Sequence, residues 1–354
     1  MPLFKIKNTV LLFVTIAFCF GCKLEQKPDL VDSKNPMSSK KRKSEEPQQL
    51  VLGVDQIERY AKLISNKRVG VVANQTSVIY HDKGNTHLVD TLLALNYSIE
   101  KVFAPEHGFR GTADAGEIVK DGLDVKTGLP IISLYGKNKK PSSKLLADLD
   151  VMIFDIQDVG ARFYTYISTL HYVMEACAES KIPVIILDRP NPNGHYIDGP
   201  ILDMEHQSFV GMHPVPVVHG MTIGEYAIMI NGEAWLDQSL ECELHVIEMK
   251  NYNHQMSYEL PIKPSPNLPN STAINLYPSL CFFEGTNVSA GRGTNLQFQI
   301  FGSPYLQGYD YNFIPKPNAG AKYPKHKGEI CYGVNLSESE YLDEIRLDLS
   351  LIHI

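Results

Sequence analysis

Beyond residue 22 the sequence has no pair of cysteines at CxxC spacing, no His-Glu-x-x-His motif and no Gly-x-Ser-x-Gly elbow. These absences argue against a cysteine zinc site, a zinc protease helix and an α/β-hydrolase serine nucleophile. Phosphate-binding glycine loops are missing as well. The first apolar run ends in Asn74-Gln75-Thr76-Ser77, with no glycine to let backbone approach a pyrophosphate, and Gly136 precedes a lysine run that lacks the Gly-Lys-Ser/Thr of a Walker loop. No nucleotide or other cofactor is implied. Basic charge is also scarce in the body of the chain. The formal charge is −7, and with +4 carried by residues 1–50 the remainder holds −11. A surface of that sign repels a phosphate backbone, so nucleic acid is not an expected partner.

What is present is globular: 354 residues, 44% hydrophobic and 21% charged, with 25 Gly and 22 Pro marking many turns. That length predicts two domains behind a leader. Lys5 and Lys7 precede an apolar run from Thr9 to Phe20, too short to span a bilayer, which ends at Gly21-Cys22. Residues 1–22 are therefore expected to be a signal peptide resembling that of bacterial lipoproteins, with Cys22 as the lipidation site. Cleavage as an ordinary secretory signal is the alternative, and either way the protein is exported. Residues 23–50, rich in Lys, Ser, Glu and Pro, are expected to form a flexible linker. Membrane contact would then come only through a lipid anchor. The remaining cysteines, Cys177, Cys242, Cys281 and Cys331, lie mostly among apolar neighbours and are expected to be buried free thiols.

From 68 to 188 short β-branched runs alternate with helical stretches, the pattern of a parallel sheet covered on both faces. Strands are predicted at 69–73, 101–104, 131–134, 151–156 and 183–187, and crossover helices at 87–95 and 164–178. The expected fold is α/β: a Rossmann-like doubly wound parallel sheet over 51–202, followed by a smaller α+β domain over 203–354. The latter begins with a capping-box helix at 222–235, then a strand at 244–249 and a Pro-rich stretch at 261–278. The helical-looking end at Ile354 has no stop signal, so the second domain could be truncated.

In such sheets ligands bind beyond the carboxyl ends of the strands, and five predicted strand ends are polar. Pro105-Glu106-His107-Gly108-Phe109-Arg110 places a carboxyl and an imidazole among apolar side chains, a setting that suits a general acid. An ion pair between Glu106 and Arg110 is the structural alternative. Asp155-Ile156-Gln157-Asp158 leads into Arg162, Tyr164 and Tyr166, whose rings and guanidinium suit sugars and carboxylates. Asp158 could equally cap the following helix. The loop Phe283-Glu284-Gly285-Thr286-Asn287-Val288-Ser289-Ala290-Gly291-Arg292 offers an acid, a base and polar donors. A metal held by His107, His219 and Asp158 is a further alternative.

Taken in order, Ala104-Pro105-Glu106-His107-Gly108-Phe109-Arg110-Gly111, the segment from Asp155 to Tyr166, Asp188-Arg189-Pro190-Asn191-Pro192 and the segment from Phe283 to Ser289 resemble the NamZ family of exo-β-N-acetylmuramidases. The resemblance runs from about Leu52 to at least Pro304. It implies a site in a cleft between a Rossmann-like domain and a smaller α/β domain, and release of N-acetylmuramic acid from the non-reducing end of peptidoglycan fragments. Glu106 in the matching motif is implied to be the catalytic acid. Asp158 or Glu284 could supply a second carboxyl, or the sugar's acetamido group could act instead. Asn74, His107, Arg110, Arg162, Tyr164, Asn287 and Arg292 are candidate substrate-binding residues. Arg110, Arg162 and Arg292, in that order, are candidates to meet the lactyl carboxylate. A non-catalytic cell-wall sugar-binding lipoprotein is the competing class. The protein is expected in the bacterial cell envelope, with peptidoglycan-derived saccharides as its partners.

Overall fold

The computed structural model describes residues 49–110 and 121–338, which belong to one compact unit, Gln48–Ile354. The expected signal peptide, Cys22, most of the linker and the last sixteen positions, 339–354, lie outside the described residues. Six parallel strands build the main sheet: β1 (Arg68–Ala73), β2 (Ser98–Ala104), β3 (Pro130–Ser133), β4 (Val151–Asp155), β5 (Val184–Leu187) and β6 (Leu244–Ile247). Their order is β3-β2-β1-β4-β5-β6, with a two-residue antiparallel strand, Gly122–Leu123, beyond β3. This is the doubly wound Rossmann order, and the order reverses between β1 and β4.

Alternation along the strands sends side chains to two cores. Val69, Val71, Val151 and Ile153 pack with α1 (Ile57–Ile64) and α2 (Leu88–Ala94) on one face. Val72, Met152 and Phe154 pack with α4 (Tyr166–Ser180) and α5 (Ile223–Gly232) on the other, with α3 (Ser143–Leu146) at its margin. All five residues of β4 are buried, as a strand covered on both faces requires.

The strand runs and the helix α4 form within two or three residues of the positions their apolar patterns predict. The capping box is present: Thr222 Oγ1 accepts from the Glu225 N–H and Glu225 accepts from the Thr222 N–H. Two features differ from expectation. The sheet does not stop at 202, because α5 and β6 continue it with a further parallel crossover, and the border expected at 203 falls inside it. The Pro-rich stretch ends in a helix, α6 (Ser271–Leu280), whose N-cap Asn270 accepts from the Ala273 N–H at 2.9 Å. Pro278 has no N–H to give the Ile274 carbonyl, which accepts instead from Asn193 Nδ2 at 3.2 Å.

The smaller unit is a three-stranded antiparallel sheet of β7 (Ile300–Ser303), β8 (Tyr311–Phe313) and β9 (Cys331–Asn335), in the order β7-β9-β8. Phe283, Phe298 and Phe301 belong to the same continuous core as β4 and α4, so apolar packing holds the small sheet to the large one. The four cysteines of the described residues are free thiols; Cys177, Cys242 and Cys331 are buried and Cys281 is half-buried. Among the described residues no helix is long and apolar enough to cross a membrane.

Candidate active site

A cavity of about 420 Å³ opens beyond the carboxyl ends of β2, β3 and β4. Its floor comes from the main sheet: Glu106 and His107 after β2, Tyr135 after β3, and Phe163, Tyr164 and Thr165 between β4 and α4. Its opposite wall comes from later in the chain, with Asn267 and Leu268, Tyr277 of α6, Cys281, Phe282, Glu284, Gly285 and Arg292. Seven of its eighteen lining residues are Phe or Tyr, which suits the apolar faces of a pyranose ring.

Glu106 is placed by two consecutive residues of left-handed backbone, His107 (φ 71°) and Gly108 (φ 77°), which reverse the chain directly after β2. Thr165 Oγ1 donates to Glu106 Oε2 at 2.7 Å, and the Tyr135 hydroxyl also hydrogen-bonds this carboxyl. Burial, with the Glu106 carboxyl beside it, pushes the Tyr135 phenol up to about 12. The ion pair weighed between Glu106 and Arg110 does not form. Arg110 instead makes a forked pair with Asp124 at 2.7 and 3.2 Å and points away from the cavity.

Across the cavity Glu284 accepts from Arg292 Nη1 at 3.0 Å. Lys325 Nζ holds that loop by donating to the Phe283, Glu284, Thr286 and Val288 carbonyls. A cation gathering carbonyls at the end of the 3-10 turn Cys281–Gly285 fixes where Glu284 sits.

Glu106, His107, Tyr164, Glu284 and Arg292 are thus gathered at one cavity, and the other predicted site residues are not among its lining. Asn74 is fully buried, accepting from Thr76 and donating to the Tyr166 hydroxyl at 2.9 Å. Arg162 donates to the carbonyls of Pro200 and Val215 at 2.7 and 2.6 Å, tying two loops together. Asn287 gives its carbonyl to His326 at 2.6 Å. Asp158 is buried, and its Oδ2 accepts from the Gly160 N–H at 2.7 Å, so it holds a local turn and does not cap the helix α4, whose N-cap is Thr165. His219 Nε2 is 3.9 Å from Asp158, but no cluster of three metal-ligating side chains exists among the described residues. Asp188 and Arg189 are also structural. The former caps α5 through Thr222 and Gly224, and the latter forms a buried fork with Asp155.

Burial pushes the Asp158 carboxyl up to about 7 from its ordinary 3.8. Such a group stabilises the fold while it is protonated, fully below about pH 4, and that contribution is lost as the pH rises through 7. Asp158→Asn keeps an oxygen for the Gly160 N–H but carries no charge. It should gain on the wild type by on the order of 2–4 kcal/mol between pH 5 and pH 8. Urea unfolding midpoints at the two pH values check this, and parallel curves for the two proteins would refute it.

Sequence reasoning missed Tyr135, Asn267 and Tyr277. Tyr135-Gly136 was visible as a polar strand end, but nothing local marked Asn267 within its run of prolines.

Residues 69–272 match the N-terminal and residues 275–354 the C-terminal family model of the exo-beta-N-acetylmuramidase NamZ. The chain is similar to the peptidoglycan beta-N-acetylmuramidase NamZ of Bacillus subtilis, with 38% identity over 98% of this chain and 85% of that one. Two crystal structures of DUF1343 family proteins from Bacteroides fragilis resemble it. One is 50% identical with a TM-score of 0.79, covering 86% of this chain and 82% of that chain. The other is 31% identical with a TM-score of 0.73, covering 86% and 81%. Motif order, sheet topology and these matches agree, and the chain belongs to the NamZ family of exo-beta-N-acetylmuramidases.

Proposed function

We propose that the protein is an exo-acting glycoside hydrolase that removes N-acetylmuramic acid from the non-reducing end of peptidoglycan fragments, with Glu106 as its acid. The observation that carries this reading is the carboxyl of Glu106 at the floor of an aromatic cavity, oriented by the hydroxyls of Thr165 and Tyr135. Cleavage needs a proton on the departing oxygen and negative charge near an oxocarbenium-like centre. Glu106 supplies the first. Glu284, on the facing wall, is the carboxylate available for the second, whether it acts on the ring carbon or orients the sugar's own acetamido group.

Muramic acid carries a lactyl carboxylate that glucosamine lacks, so selectivity requires a cation. Of the three arginines weighed for it, only Arg292 lines the cavity. The test is release of nitrophenol from an aryl β-N-acetylmuramide and from the matching β-N-acetylglucosaminide. The wild type should prefer the muramide. Arg292→Gln should lose about 10- to 100-fold on it, and much less on the glucosaminide, as expected when one charge-assisted hydrogen bond is removed. Equal losses on both would move the lactyl contact elsewhere. Binding of the muramide by the wild type without any release would overturn the hydrolase reading itself.

We also propose that residues 1–22 direct export and that Cys22 carries the lipid, which would place the enzyme in the cell envelope near its polymer. The basic start, the short apolar run and the Gly21-Cys22 junction support this.

A further inference from the structure

Phe209 and Val210 form the tip of a two-residue hairpin turn between β5 and α5, where Ser208 and Gly211 exchange both backbone hydrogen bonds at 2.9 and 3.1 Å. Such tips ordinarily carry Gly, Asn, Asp or Ser, whose backbone and side chains suit a tight turn. Two large apolar side chains there need another reason. The cores supply none, since neither residue belongs to an apolar core of the described residues. Both instead line the cavity, and Val210 does so while 55% exposed, which puts the tip at its mouth. The tip is held in place. Gln207 Nε2 donates to the Met212 carbonyl at 2.9 Å across its base. Lys139 Nζ lies 4.1 Å from the centre of the Phe209 ring, and Tyr172 of α4 lies nearly parallel to that ring at 6.2 Å.

The relation of the tip to Glu106 follows from the sheet. Glu106 stands after β2 with an aromatic flank on each side. Towards β4, the Phe163 ring meets those of Tyr277 and Phe282 with centres 5.3 and 5.6 Å apart, and that flank leads to Glu284 and Arg292. Towards the sheet edge, Tyr135 after β3 hydrogen-bonds Glu106 itself, and its ring centre is 6.2 Å from that of Phe209. An acid that protonates a glycosidic oxygen stands between the two sugars it separates. With the muramyl residue on the side of Glu284 and Arg292, the second sugar falls on the side of Tyr135. We propose that Phe209 and Val210, with Tyr135, form the site for the leaving sugar, their apolar atoms packing on a face of the N-acetylglucosamine whose oxygen Glu106 protonates. This rests on the glycosidase reading for the direction of the saccharide, and goes beyond it by giving the discarded sugar a platform of its own.

The experiment is calorimetry with Glu106→Gln protein, used so that the sugar outlasts the titration. It compares N-acetylmuramyl-β-1,4-N-acetylglucosamine with methyl N-acetyl-β-muramide, in which a methyl group takes the place of the second sugar. With the natural tip the disaccharide should bind about 10- to 100-fold tighter, as burial of one sugar face against apolar side chains allows. Adding Phe209→Ala should bring the preference close to unity, and adding Val210→Ser should reduce it about 3- to 10-fold, in each case through weaker binding of the disaccharide alone. Val210 is exposed at a turn, so its variant keeps the test open should Phe209→Ala fail to fold. A merely structural role for the tip would weaken both ligands alike. That result, a preference that survives substitution in a folded variant, or no preference with the natural tip would overturn the assignment. The titration needs no turnover, so the two readings fail separately. Wild-type protein that binds the disaccharide through this tip but releases no muramic acid from it would refute the hydrolase alone.

Discussion

Glu106→Gln is expected to lower kcat on disaccharide substrates by about 100- to 10,000-fold while leaving the fold intact, the range associated with loss of a general acid. The argument for an intact fold is local. Glutamine fills the same volume, and its oxygen can still accept from Thr165 Oγ1, which now donates at 2.7 Å. The loss should depend on the leaving group. A sugar alkoxide needs a proton as it departs, whereas a nitrophenolate needs almost none, so the defect should be far smaller on a nitrophenyl substrate. Steady-state kinetics on both, with urea unfolding as a control, separates this role from others. The same loss on both leaving groups would show that Glu106 acts on the ring carbon or on binding rather than on the departing oxygen.

The largest stability effect should come from Arg189→Leu. Arg189 and Asp155 are 3% and 0% exposed, and the guanidinium meets both carboxylate oxygens at 2.6 and 2.9 Å. Its Nη2 also donates to the Val78 carbonyl at 3.2 Å, so a residue just past β5 ties the end of β4 to the short strand Val78–His81. Removing the cation leaves a buried carboxylate with its partner gone, at a cost of about 3–5 kcal/mol. Equilibrium urea unfolding should show that loss at neutral pH. Adding Asp155→Asn to Arg189→Leu should recover part of it, since the stranded charge is then absent. A single variant within about 1 kcal/mol of wild type would mean that water reaches the pair.

The contrast between these two carboxylates shows what could be read from the chain alone. Strand runs such as Val151 to Phe154 and the Thr222/Glu225 capping box announce themselves because their causes are local: branched side chains on a pleat, and a reciprocal bond across one helical turn. Glu106 was legible for a related reason, since a strand end in an α/β sheet faces the crevice whatever follows. Arg110 and Arg162 were not legible. An arginine beside a motif looks the same whether it meets a ligand, an aspartate such as Asp124 or two carbonyls such as those of Pro200 and Val215, and only the tertiary fold chooses. Asp155, Asp188 and Arg189 are chosen by the tertiary fold in the same way. Their polarity at strand ends serves the sheet's own joints, while the cavity takes its lining from the segments after β2, β3 and β4 and from residues 265–298 much later in the chain. Asn267 stayed hidden because nothing within its run of prolines shows that the fold brings it to the cavity wall.

The border between the two family models, between 272 and 275, falls within the first turn of α6. That helix is no hinge: Ala273 and Ile274 lie in the shared core, and Tyr277 is at once core and cavity wall. Each half alone would carry an open, greasy scar and only part of the catalytic bowl. Chimeras that exchange the two halves between relatives at this seam should therefore work only when the rings around Tyr277 travel together, and evolution faces the same constraint, so the halves should be inherited as a pair.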